Sequence, residues 1–160
     1  MAQRTQDHAL LIEAHYTQGS TLLWVGEFPA ARAHFEQGLA LYDRQQHSMY
    51  AFRYGHDPGV ACLAQLGQVL WLLGYPDQAL SRGNEAITSA RELAHLNSLG
   101  FALDVTAMIH QLRREWPETQ ERAEATINIG TEQGFPYWVA QGTMFLGSAI
   151  AEQIAVVLRC

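Results

Sequence analysis

Gly67-Gln68-Val69-Leu70-Trp71-Leu72-Leu73-Gly74-Tyr75-Pro76-Asp77-Gln78-Ala79 decides the fold, because an earlier stretch repeats its pattern. Gly19-Ser20-Thr21-Leu22-Leu23-Trp24-Val25-Gly26-Glu27-Phe28-Pro29-Ala30-Ala31 stands forty-eight residues upstream. Both stretches place glycine first and eighth, leucine fourth and alanine thirteenth. The likeness continues, for Gly38 and Leu39 return as Ala86 and Ile87. An internal repeat of this length is the signature of a solenoid. Solenoids mostly bind other molecules through an extended surface.

Working outward, all five prolines precede long proline-free runs: Pro29, Pro58, Pro76, Pro117 and Pro136. Proline in a first turn loses no helical hydrogen bond, and its fixed φ suits the helix. Gly26, Gly74 and Gly134 stand just before three of these starts, where a left-handed cap is expected. Asn97-Ser98 supplies N-cap residues for another start. Seven helices are therefore expected, at 7–25, 29–46, 58–73, 76–95, 98–114, 117–133 and 136–158. Ala31, Phe35, Gly38, Leu39 and Tyr42 share one helix face. Ala79, Gly83, Ala86, Ile87 and Ala90 repeat that series, and Leu99, Ala102, Val105, Ile109 and Leu112 make a similar one. No run alternates long enough to read as a strand. The segment 46–57 carries Tyr50, Phe52 and Tyr54, so it is expected to pack as a helical extension or a tucked loop.

The chain is one domain's worth, 160 residues. With 48% apolar and 16% charged residues it is too apolar to be disordered. Its net charge of −6 argues against nucleic acid, which needs clustered lysine and arginine. Arg113-Arg114 and Arg122 are interleaved with Glu115, Glu118, Glu121 and Glu124 and read as an ion-paired face. Cys62 and Cys160 make no disulfide framework, so a reducing compartment is expected. The first seven residues lack the apolar core of a signal peptide. No stretch reaches the roughly 18–20 uninterrupted apolar residues of a bilayer span. Together these point to a cytoplasmic protein with no membrane contact. Seven histidines invite a metal, yet none of their spacings suits a metal centre, and no cofactor is expected. No glycine-rich phosphate loop and no Gly-x-Ser-x-Gly occurs, so no catalytic residue is expected either.

Gly19, Leu22, Gly26, Phe28, Ala31, Phe35 and Gly38, with Gly67, Leu70, Gly74, Ala79 and Ala86, resemble the tetratricopeptide (TPR) repeat. That resemblance implies an all-α, right-handed solenoid of about seven antiparallel helices. Its units would be 7–46, 57–95 and 98–133, followed by a half unit at 136–158. The spacing departs from the family's roughly 34 residues. It is 48 and then 41–44, with an insertion expected around 115–120. Longer units resemble the C-terminal arrays of bacterial signalling proteins that carry a cyclase or kinase domain and an ATPase module. The phrases "HDPGVACLAQLGQVLWLLGYPDQAL" and "ERAEATINIGTEQGFPYWVAQGTM" carry that likeness.

By the same resemblance, the first helix of each unit would line a concave groove. The groove residues would be Glu13, Tyr16, Ser20, Leu23 and Trp24 in the first unit. They would be Ala61, Ala64, Gln68, Trp71 and Leu72 in the second. The third would give Ala102, Val105, Ile109 and Arg113, and the fourth Gln141, Met144 and Ser148. Such a lining suits an apolar peptide or helix held by aromatic anchors, although Trp24 and Trp71 also read as inter-repeat core. The expected function is non-enzymatic partner binding, with small-molecule sensing as the alternative. Phe145, Leu146, Ile150, Ile154, Val157 and Leu158 are expected to form an apolar outer face on the last helix. That face would suit a homodimer. The unpaired seventh helix suggests a piece of a longer protein or a truncated product.

Overall fold

The computed structural model describes residues 8–44 and 50–158, and its regular structure there is wholly helical. Eight helices follow one another among the described residues: α1 (His8–Trp24), α2 (Phe28–Leu41), α3 (Tyr50–Tyr54), α4 (Pro58–Leu72), α5 (Pro76–Glu92), α6 (Leu96–Arg113), α7 (Trp116–Gln133) and α8 (Pro136–Leu158). The all-α expectation holds. Residues 1–7, the stretch 45–49 and Cys160 lie outside the described residues.

Each proline sits within the first two residues of its helix, as its missing N–H requires. Four helix ends share one chemistry. After α1, the Gly26 N–H donates to Leu23 and the Glu27 N–H to Leu22. The same two bonds close α4 at Gly74, α5 at Ala94 and α6 at Arg114. This is the Schellman turn, and it needs a left-handed residue. Gly26 and Gly74 take φ of 88° and 87°, and Gly134 after α7 takes 69°. Ala94 and Arg114 adopt the same region at 51° and 60° with a side chain attached.

Three boundaries differ from expectation by two residues or more; the fourth expected helix ends at Glu92 rather than at 95. The fifth expected helix begins at Leu96 rather than at 98, with His95 as its cap; the His95 Nδ1 accepts the Ser98 N–H at 3.3 Å. The second ends at Leu41 rather than at 46. Tyr42 turns to extended backbone there, and its hydroxyl donates to Asp57 Oδ2 at 2.9 Å. The segment 46–57 contributes the short helix α3, in which Ala51 is buried and Phe52 is 81% exposed.

Helices α1, α4, α6 and α8 pack in a row, each against the next. Beside the row lie α2, α5 and α7, each packed on the two row helices that flank it. Close approach occurs at small residues. A Cβ on Gly67 would stand 2.9 Å from the Ala79 carbonyl oxygen, and one on Gly142 would stand 2.8 Å from that of Ala123. Between them α4 is buried along nearly its whole length.

Burial also fixes the register of the repeat. Ala79, Gly83, Ala86 and Ala90 are buried in α5; Thr119, Ala123, Thr126 and Gly130, each forty residues on, are buried in α7. Cys62, Ala102 and Gly142 are likewise buried at intervals of forty in α4, α6 and α8. The interval is therefore forty after the second pair, with no insertion at 115–120. The expected 44-residue match of Ala123, Ile127 and Gly130 is a coincidence of small and apolar residues on one helix.

One described helix, Pro136–Leu158, is long and apolar enough to cross a bilayer, with a mean hydropathy of 1.2 in its best window. It passes although Gln141, Thr143, Ser148, Glu152 and Gln153 interrupt its apolar residues.

Two substitutions should move stability in opposite directions. Gly67→Ala forces a methyl onto the α5 backbone and should cost about 1–3 kcal/mol. Arg114→Gly relieves a left-handed side-chain residue and should gain about 0.5–1 kcal/mol. Urea unfolding of both variants reads the difference.

Candidate partner-binding face

A buried polar seam holds the starts of the row helices together. Asp57 is wholly buried and caps α4, its Oδ1 accepting the Val60 N–H at 2.8 Å. Its own N–H donates to Ser98 Oγ at 2.8 Å, which ties α4 to α6. Asn97 continues the seam by donating to the Gly55 carbonyl at 2.7 Å. Trp138 Nε1 donates to Asn97 Oδ1 at 2.6 Å and so brings in α8. Burial raises the Asp57 carboxyl above its usual range, while the Val60 and Tyr42 bonds pull it back down. Asn97 and Ser98, expected as caps, instead bind sideways across helices. Trp138 packs flat over Gly100 and is core, not surface.

The forty-residue register places equivalent row positions side by side. Tyr16, Ala64, Asp104 and Met144 form one such line, and Ser20, Gln68, Met108 and Ser148 another. Trp24, Leu72, Leu112 and Glu152 form a third, near the far ends of the helices. Tyr16 and Ser20 of the expected groove are engaged within the chain. The Tyr16 ring lies 5.1 Å from that of His56, which pairs with Glu13 at 3.4 Å. That pairing raises the His56 pKa against the opposing effect of burial. Ser20 Oγ lies 2.8 Å from the Tyr16 carbonyl oxygen and also meets the Gln65 amide oxygen, so the two acceptors share its single proton.

Leu23, Ala61, Ala64, Ala102, Val105 and Ile109 are buried core and present no surface. The third-unit set is displaced by one residue: Phe101, Asp104, Met108 and Leu112 hold the row positions that were given to Ala102, Val105, Ile109 and Arg113. All four of the expected residues are apolar or paired, but they point to the wrong side of α6. Arg113 is held by Glu115 at 2.7 Å and Asp77 at 3.3 Å. Gln68 and Trp71 are half-buried, and Trp71 packs on the main core. Of the expected anchors, Trp24 is 77% exposed and Met144 56%.

What remains open is an edge. Trp24, Leu72 and Leu112 are all exposed, at equivalent positions on three adjacent helices, with Val25 and Tyr75 exposed beside them. A half-open hollow of about 740 Å³ ends this edge, lined by Gln111, Leu112, Arg114, Trp116, Glu152 and Val156. Higher in the row, Asp104 is 9% exposed, and its Oδ1 has no hydrogen-bond partner. Burial pushes that carboxyl up to about 7. Sequence reading missed Asp104 because its register on α6 was off by one.

Elsewhere the chemistry is structural. Burial raises the Cys62 thiol to about 12, far from a thiolate nucleophile. His15 and His34 meet Nδ1 to Nδ1 at 3.1 Å, and the desolvated His15 is lowered in pKa. No cluster of three metal-ligating side chains occurs among the described residues. The chain matches no protein-family model and no curated protein.

The Asp104 site yields a pH signature. A free aspartate titrates near 3.8, and folded Asp104 near 7. The folded state thus holds the proton more tightly. Its contribution is fully present below about pH 4 and is lost as pH rises to about 7. Asp104→Asn should match the wild type in urea unfolding at pH 4 and exceed it by about 2 kcal/mol or more at pH 8.

Proposed function

We propose that this chain is a helical-repeat interaction module, a right-handed solenoid of the TPR kind, that binds an apolar helix or peptide. The observation that carries the reading is the ladder of exposed Trp24, Leu72 and Leu112 at one repeated position. Neighbouring helices pack about 8–10 Å apart, so the ladder spans roughly 16–20 Å. A partner helix of about 11–13 residues has that length, as does an extended peptide of about six. Large side chains held out on a rigid scaffold are the usual anchors of such a site. The function is binding without chemistry, and neither a cofactor nor a metal takes part. The setting we propose is the repeat array of a bacterial signalling protein in the cytoplasm, on the sequence phrases alone. A small-molecule sensor has less support, because the hollow at Arg114 is open rather than enclosed.

A phage-displayed peptide library selected on the purified chain tests the reading. Enriched peptides should bind with micromolar affinity and lose at least about tenfold on Trp24→Ala or Leu112→Ala. Both residues are exposed, so circular dichroism should be unchanged. No enrichment, or binding indifferent to both variants, would overturn it.

A further inference from the structure

Twelve of the thirteen glycines have a visible use. Gly26, Gly55, Gly74 and Gly134 take positive φ in turns. Eight others sit where a Cβ would come within 3.0 Å of a neighbouring residue. Gly147 does neither, lying in the middle of α8 with nothing within 4 Å of where its Cβ would be. Glycine inside a helix costs roughly 0.5–1 kcal/mol relative to alanine, and nothing within this chain offsets that cost.

In the forty-residue register Gly147 corresponds to Gly67 and Ala107, which lie against α5 and α7, but on α8 this face has no helix of the chain upon it. Trp138, Gly142, Phe145 and Ala149 turn inward and are buried. Phe145, expected on the outer face, is therefore core. The opposite side of a surface helix is ordinarily polar. On α8 it carries Tyr137, Met144, Ala151 and Leu158 at one heptad position and Ala140, Gly147 and Ile154 at the other, all exposed. That is an uninterrupted seam of three heptads. Its flanks at Gln141, Thr143, Ser148, Ile150, Ala155 and Val157 carry no charge.

We infer that this face of α8 binds the same face of a second copy of the chain, antiparallel, with the two-fold axis passing at Gly147. The pattern is self-complementary about that residue. Ala140 falls opposite Ile154 of the second copy, while Met144 lies one residue off the level of Ala151 and Tyr137 one residue off that of Leu158. Large thus meets small along most of the seam, and glycine meets glycine where the helices cross. A two-fold interface requires this kind of self-match. A helix of 23 residues is about 35 Å long, and a seam of that length buries on the order of 1,000 Å² in total, where specific interfaces begin. No residue of the seam or of its flanks is charged. The inference is independent of the Trp24–Leu72–Leu112 edge.

Sedimentation equilibrium of the whole chain provides the test. The expected mass is twice 17.9 kDa at micromolar concentration. Ile154→Glu and Ala151→Glu should each weaken the dimer at least about tenfold without loss of helical circular dichroism. Gly147→Cys in a Cys160→Ser background should form a linked dimer on mild oxidation, and Thr131→Cys on α7 should not. A monomer at hundreds of micromolar overturns the inference. So does a dimer indifferent to both glutamates that gives no Gly147 link. Flotation of a solution monomer with phosphatidylcholine–phosphatidylglycerol vesicles overturns it in favour of a bilayer.

Discussion

Backbone meeting backbone at Gly67 is the constraint on which the rest depends. Helix α4 can lie against α5 only because nothing projects between Gly67 and the Ala79 carbonyl. The same device recurs where Gly142 meets Ala123, and Gly19 leaves room for the ring of Phe35. Once a pair closes this tightly, its turn must be short, and a Schellman closure provides that. Large side chains fill the space that remains, and Phe35, Leu66, Leu103 and Ile109 are wholly buried or nearly so. Small residues at the crossing, a left-handed turn and large residues in the remaining space are one solution to one packing problem.

The polar seam answers a different question, which is how successive pairs are kept aligned. Apolar packing is non-directional and allows neighbouring helices to slide. Asp57, Ser98, Asn97 and Trp138 remove that freedom, since each hydrogen bond is satisfied at only one offset. Burying Asp57 is unfavourable in itself, and its accepted bonds from Val60 and Tyr42 offset the desolvation. Asp104 lacks that compensation at Oδ1. Two buried carboxyls in one small fold thus have different standing: one is a fixed rivet, and the other is left unpaired at Oδ1 and raised in pKa by burial.

Much of the architecture was legible in the sequence, and the physics says why. Proline and glycine act on their own backbone, so helix starts and ends could be read locally to within a few residues. The close-packed small residues repeat because every pair meets the same steric demand. The assignment of faces was far less legible. Helix α6 is buried from Ala102 through Ala107 on successive residues. A helix enclosed on several sides has no clean apolar stripe, so its periodicity cannot distinguish the core side from the row side. A wrong interval then moved the third-unit set by one residue, onto Val105 and Ile109. Tyr42 was a similar case. It continues the apolar series of α2, but a hydroxyl contact with Asp57, fifteen residues on, pulls it out of the helix.

The two apolar surfaces left open differ in kind. The edge at Trp24, Leu72 and Leu112 is discontinuous: three anchors on three helices, separated by about the width of a helix. Such an array gains little from matching itself, because opposed large side chains leave gaps between them. It suits an occupant that supplies the filling, with its own side chains entering between the anchors. The α8 seam is continuous and alternates large with small along one axis, so a copy of itself fills it. Continuity also lets a seam form by sliding and zipping along one helix, whereas separated anchors must be met together. The proposed dimer seam on the last helix and the proposed partner edge along the row thus differ enough in shape that one occupant does not suit both.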